Sequence, residues 1–343
     1  MFDKAQAPVE MVHCHALPRP ISSSRVAKLI LLAISVFLVA SACSTRSPES
    51  TVAPRRPATI SVPRAMCLPG TAQPSIIRIG LPESISGSYR QDAPVLPRLQ
   101  TWLSTRVGAP VEFVPIRDYN EFTSGLANGT LAGAMIPPAE FVQARSQIPC
   151  LRLVAATVYG TSTFYGTNLI VHRDSSIKST AALHGTRIAF SSPRSASGYI
   201  YAADYLARHG MLPWRDYEPV FTGGHRETIQ AVQSRSVDAG ATFTDALRLA
   251  GLAGVDLSDL SILAVAGEIP SEPLVVSGDL TPELARRIGT AFLEIDEGTP
   301  EERSLLGPED LMSGWVETDD SVYTAIEDVI ASVQALTAQE GTR

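Results

Sequence analysis

Residues 187–224, RIAFSSPRSASGYIYAADYLARHGMLPWRDYEPVFTGG, read as a strand, a turn, a helix and a second strand with its turn. RIAFS (187–191) is the first strand, YIYAADYLARHG (199–210) the helix, and YEPVFTGG (217–224) leads into the helix ETIQAVQSRS (227–236). VDAGATF (237–243) is again strand-like, and upstream NLIVHR (168–173) is a strand followed by TAALHG, capped by Ser179 and stopped by Gly185. Strands alternating with helices at this spacing predict a mostly parallel sheet covered on both faces.

A second α/β set precedes this one. IIRIGL (76–81), VEFVPI (111–116), LAGAMI (131–136) and LRLVAATV (151–158) read as strands. VLPRLQTWLSTRVG (95–108), EFTSGLANG (121–129) and EFVQARS (140–146) between them read as helices, the first two ending near Gly108 and Gly129. The apolar run 261–277 comes before a capped helix, TPELARRIGTAFLEI (281–295), and SVYTAIEDVIASVQAL (321–336) has helical apolar spacing.

In such sheets ligands sit beyond the carboxyl ends of strands, where helix N-termini favour anions. Ser195-Ala196-Ser197-Gly198 is the best such place, with two hydroxyls and a glycine that lets a ligand approach the backbone; a plain capped loop has the same look. Gly223-Gly224-His225 is the second, although a lone histidine also serves structure alone. The turn lacks the G-x-S-x-G elbow of a serine nucleophile, which argues against an enzyme.

The beginning of the chain points outside the cytoplasm. Arg25 and Lys28 precede LILLAISVFLVASA (29–42), too short to span a bilayer comfortably, and Cys43 follows. Residues 1–42 are therefore expected to be a signal peptide, with translation starting at Met1 or Met11. VASAC (39–43) resembles a bacterial lipobox, making Cys43 the expected lipid attachment point; plain secretion and an uncleaved anchor are the alternatives. Residues 43–75, rich in Ser, Pro, Thr and Arg, read as anchor and tether. Cys67 and Cys150 remain for the exported part, and an oxidising compartment predicts a disulfide between them, two unpaired thiols being the alternative. No His or Cys stands at zinc-ligand spacing, so neither metal nor cofactor is expected. A hydrophobic fraction of 45 % excludes a wholly disordered chain, and a net charge of −7 argues against nucleic-acid binding.

SPRSASGY, VFTGGHRETIQAVQSRSVDAGATFTDA and EIPSEPLVV, in that order, resemble the phosphonate/phosphite/phosphate-binding proteins of ABC importers, as do DYNEFTSGLANGTLAGAMIPPAEFVQA and NLIVHRDSSIKSTAALHGTRIAF. The resemblance covers about residues 76–295. It implies an α/β fold of the two-lobe, type II periplasmic-binding-protein kind, each lobe a mainly parallel sheet flanked by helices, with the ligand cleft between lobes. Lobe 1 would be 76–171 and 268–343, and lobe 2 would be 172–267. By the same resemblance Ser195, Ala196 and Ser197, two first-lobe tyrosines Tyr119 and Tyr165, and His225 would hold the oxyanion, with Asp245 and Glu272 meeting an amine or an acidic proton. Ala196 replaces the family threonine, Phe141 stands where tyrosine is common, and the loop LPESISGSY is unusual. The implied function is a monomeric, lipid-anchored solute receptor on the extracytoplasmic face that hands a phosphonate, phosphite or phosphate to a permease and its ATPase. A sensor of the same fold, signalling to a membrane partner, is the alternative.

Overall fold

The computed structural model describes residues 70–83, 95–252, 254–295, 298–306 and 312–340, with backbone alone for 337–340. The expected signal peptide, Cys43 and Cys67 lie outside them, as does most of the loop that follows the first strand. Eleven strands, numbered here in chain order, form two sheets among the described residues. The first sheet contains β1 (Ile77–Pro82), β2 (Val111–Ile116), β3 (Gly133–Met135), β4 (Arg152–Val158), β10 (Pro273–Val276) and β11 (Gly314–Val316), ordered β11-β4-β10-β3-β1-β2. The second contains β5 (Phe164–His172), β6 (Arg187–Phe190), β7 (Glu218–Phe221), β8 (Ala239–Phe243) and β9 (Leu260–Pro270), ordered β7-β6-β8-β5-β9.

Helices Val95–Val107, Tyr119–Ala127 and Pro138–Gln147 stand where the apolar spacing places them. Leu99, Leu103 and Val107 of the first turn one stripe into the core. Asp118 caps the second by accepting from the Asn120 N–H at 2.9 Å. Thr281 caps Pro282–Leu293 through the Leu284 N–H.

Both sheets are mixed. β1 pairs in parallel with β2 and β3, and β6 with β7 and β8, as expected. The pairs of β10 with β3 and β4, of β11 with β4, and of β5 with β8 and β9 are antiparallel. The reason is the crossing: the chain leaves the first sheet after β4 and returns between β9 and β10, so the strands at the crossing run against their neighbours.

The crossing also corrects three boundaries. β5 and β9 pair along almost their whole lengths, from Phe164 with Pro270 to His172 with Leu260. Boundaries at 171/172 and 267/268 would cut both, so the lobes meet near 159–164 and 270–273 instead. Tyr165 consequently belongs to the second sheet and not to the first lobe. Residues 70–75 are likewise more than tether: the Ala72 N–H donates to Asp279 O at 2.8 Å and its carbonyl accepts from Thr281 N–H at 3.1 Å. Helices Ala246–Leu252 and Pro300–Leu306 and strand β11, which the sequence patterns do not single out, complete the described fold.

The C-terminal helix Thr324–Glu340 and the 3₁₀ turn before it pack on helix Pro138–Gln147. Phe141, which stands where tyrosine is common in the family, is core: it is 1 % exposed, and its ring meets Tyr323 edge-on at 5.0 Å. Arg145 holds the same junction through Glu327 at 2.5 Å and Asp320 at 3.2 Å. Replacing Phe141 by Ala removes a fully buried ring, so urea unfolding should show a loss of about 3–5 kcal/mol.

Candidate functional site

The loop after β6 runs Ser191 to Ser195 and then winds into a π-type turn, Ala196–Ile200, that continues as helix Tyr201–Arg208. The sequence predicts an α-helix from residue 199, but this entry is wider. Ser195 Oγ accepts from the Gly198 N–H at 3.0 Å, and the Ser195 carbonyl accepts from the N–H groups of both Tyr199 and Ile200. Ala196 and Ser197 thereby present the first amides of the turn, which no preceding helical carbonyl can satisfy. A Cβ on Gly198 would lie 1.8 Å from Ser191 Oγ, so only glycine permits this packing.

The structure brings four predicted hydroxyls together here. Tyr119 begins a helix of the first lobe and its hydroxyl lies close enough to Ser195 to be influenced by it, while the hydroxyl of Tyr165, at the start of β5, is influenced in the same way by Ser197. Ser195, Ala196 and Ser197 are all buried. Burial raises the pKa of Tyr119 and holds that of Tyr165 well above the ordinary value. Both phenols therefore keep their protons at neutral pH and remain donors.

Glu272 lies at the second crossing, and its charge acts on Tyr119, Tyr165 and Tyr323. Burial raises its own pKa, opposed by the Tyr159 hydroxyl, which donates to Oε2 at 2.7 Å. Its carbonyl accepts from Thr157 Oγ1 at 2.9 Å and Thr157 N–H at 3.1 Å, and this fixes the crossing.

His225 opens helix His225–Gln233 after Gly223 and Gly224. Its Nδ1 stands 2.9 Å from Thr242 Oγ1, and its ring meets Phe243 edge-on at 4.9 Å. With the threonine hydroxyl donating, the ring proton sits on Nε2 and forms a neutral donor. Asp245 differs from the rest. It follows β8, but its carboxylate is 43 % exposed and pairs with Arg248 Nε at 3.3 Å.

Other residues of the site escape the sequence reading. The Arg194 guanidinium reaches Asn120 Oδ1, Glu140 Oε2 and, at 2.7 Å, Gln143 Oε1, all on the first lobe. Ser191 Oγ, Thr167 Oγ1 and Tyr201 OH are buried without a hydrogen-bond partner among the described residues. Burial pushes the Tyr201 pKa up to about 12. The Tyr201 ring lies where a Cβ on Gly267 (φ +70°) would come within 2.2 Å of it. The local sequence around these residues does not announce them. An arginine beside a serine turn looks solvated, and Tyr201 looks like helix core.

Among the described residues no cluster of His, Cys, Asp or Glu could hold a metal ion, and no helix is long and apolar enough to cross a membrane.

Two mixed sheets flanked by helices and joined by two crossings define a fold of the type II periplasmic-binding-protein kind. The chain belongs to the family described as ABC transporter, phosphonate, periplasmic substrate-binding protein, whose model matches residues 96–323. It is similar to the phosphate-import protein PhnD of Mycolicibacterium smegmatis, 24 % identical over 280 residues covering 78 % of this chain and 81 % of that one. The fold matches PhnD1 of Prochlorococcus marinus in complex with methylphosphonate (TM-score 0.67, 18 % identity, 76 % of this chain and 99 % of that one). It also matches a binding protein component of an ABC phosphonate transporter from Pseudomonas aeruginosa (TM-score 0.65, 20 % identity, 79 % and 97 %).

Burial lowers the His225 pKa from 6.5 to about 4. Between these values the unfolded chain binds more protons than the folded one. The stability contributed by the neutral ring is thus fully present above about pH 6.5 and is lost as pH falls towards 4, by up to about 3 kcal/mol. In urea titrations at a series of pH values, His225→Gln should flatten that part of the fall relative to wild type.

Proposed function

We propose that this chain is the extracytoplasmic solute-binding lipoprotein of an ABC importer, holding a phosphonate-, phosphite- or phosphate-like oxyanion in its inter-lobe cleft for delivery to a permease and its ATPase. The observation that carries the reading is the convergence of Tyr119, Tyr165, Ser195 and Ser197 on the amides that open the Ala196–Ile200 turn. A tetrahedral oxyanion needs several convergent donors, and neutral ones bind it without the hydration cost of a lysine. The phosphate import named for the mycobacterial relative and the methylphosphonate named for the Prochlorococcus structure support the same ligand class.

In this reading His225 adds a further donor. Glu272, at the centre of the site, accepts a proton from the ligand, either from a P–OH group or from the ammonium of an aminoalkylphosphonate. Asp245 serves that end as well once it exchanges Arg248 for the ligand. Residues 1–42 are removed as a signal peptide, and lipidated Cys43 anchors a monomer to the membrane. Cys150 is disulfide-bonded, and we assign Cys67 as its partner.

A thermal-shift panel on the full chain in mild detergent, with phosphate, phosphite, methylphosphonate, aminoethylphosphonate and sulfate, tests the ligand class. A true ligand at about 100 times its Kd should stabilise the protein by roughly 2.7 kcal/mol, and silence from every phosphorus oxyanion would refute the reading. His225→Ala should weaken each oxyanion about 10- to 100-fold, the value of a hydrogen bond to a charged partner. Glu272→Gln should instead reorder the oxyanions; equal profiles for wild type and both variants would overturn the site. For the anchor, Cys43→Ser should move the protein from the detergent phase to the aqueous phase of a Triton X-114 partition.

A further inference from the structure

Arg194 and Glu140 form an ion pair across the cleft whose partners are unequally placed. The Glu140 side chain is fully buried in the first lobe, whereas that of Arg194 is 28 % exposed and comes from the second. One Glu140 oxygen takes the Thr123 hydroxyl from within its own lobe, and the other takes the Arg194 guanidinium. Asn120 and Gln143 complete the acceptor set, so the arginine clasps two first-lobe helices. Tyr119 and Asn120 are consecutive, as are Ser195 and Arg194. The Arg194 contacts therefore form directly beside the place where Tyr119 faces Ser195.

Separating the lobes would take from Glu140 the countercharge that it meets in the closed arrangement. Breaking one side of a buried pair is far more costly than losing a surface pair, because the remaining carboxylate is left in a poorly solvating interior. The next residue, Ser195, caps the anion turn, so whatever holds Arg194 against the first lobe also sets the position of that turn. The guanidinium is spent on three protein oxygens and offers the cleft little net charge.

We propose that Arg194 and Glu140 are a positioning latch, which holds the Ser195–Gly198 turn against the first lobe and sets how long a bound solute is retained without choosing between solutes. The claim concerns the closing of the lobes. Its effect on retention rests on the function proposed above, but its effect on lobe closure does not.

The test uses the full chain in mild detergent, with Arg194→Gln, Glu140→Gln and the double variant, and with phosphate and methylphosphonate as probes. Each single variant should speed dissociation by about tenfold or more, by a similar factor for both probes, with little change in association rate. The double variant should be no worse than the poorer single one, since the two residues act as a unit. A second reading needs no ligand: inter-lobe distance by double electron–electron resonance, with spin labels on the exposed positions Glu121 and Arg226, should broaden towards longer values in the ligand-free variants. Should neither probe bind wild type, the ligand assignment fails while this distance measurement still decides the latch. Unchanged distances together with unchanged dissociation rates would overturn the latch. So would a changed ranking of the two probes, because Arg194 would then be touching the solute, as its buried and unpartnered Nε would allow.

Discussion

Ser191 ties the two loops of the candidate site to each other. Its N–H donates to the Gly198 carbonyl at 3.2 Å, and its own carbonyl accepts from the Gly223 N–H at 2.9 Å. The serine turn and the glycine–histidine turn are therefore fastened to the same residue at the end of β6. Thr222 extends the attachment through Phe190, and Thr228 closes onto Gly224. Gly198 must lie against Ser191 for this arrangement to exist, which is why the turn opens as a wide π-type coil. The second lobe thus carries a half-site whose two turns share one backbone attachment at Ser191.

The approach of the first lobe is governed at the crossings. Ser271 Oγ donates to Thr163 O at 3.0 Å and also bonds Thr157 O, so the two connecting segments are fastened side by side. The Tyr323 hydroxyl adds a bond to Ser271 O at 3.1 Å from the 3₁₀ turn that leads into the C-terminal helix. That helix also reaches the second lobe, where Ser332 Oγ donates to Asp204 Oδ1 at 3.1 Å. Any opening must pivot within a few residues near 159–164 and 270–273 and slide the helix ends past one another, the combination of hinge and shear that discrete lobes allow. Glu272 sits at that pivot, so the charge nearest the tyrosines is also attached to the moving joint.

Much of this was readable in the chain, and the limits of the reading have physical causes. The strand–turn–helix around Ser195 and the stripe of Leu99 and Leu103 follow from local spacing, because burial on one face imposes a period. Ownership of a strand by one sheet is not local: NLIVHR reads as a strand in either lobe, and only its distant partners β8 and β9 place it. Tyr165 was assigned to the wrong lobe for that reason. Asp245 came from the family resemblance alone, which gave no sign that Arg248, one helical turn on, pairs with its carboxylate. Arg194 and Glu140 were illegible because their meaning depends on a contact 54 residues apart. Phe141 was legible only as a departure from a family pattern, and its place in the core against Tyr323 rests on the 3₁₀ turn and helix almost two hundred residues later.

Under the function proposed above, the charges around the site have to be reconciled with anion binding by a protein of net charge −7. Arg194, the arginine beside the serine turn, is neutralised by Glu140, and burial keeps His225 uncharged at neutral pH. Long-range attraction therefore contributes little, and binding must come from short hydrogen bonds made where water is excluded. In that setting each well-aimed hydroxyl or amide counts for more than it would in solution, and each unmet one costs more. A neutral donor set also discriminates by the ligand's protonation and shape more than by its total charge. Under the function proposed above, Glu272 would favour a solute that brings a proton to one end while presenting bare oxygens to the other.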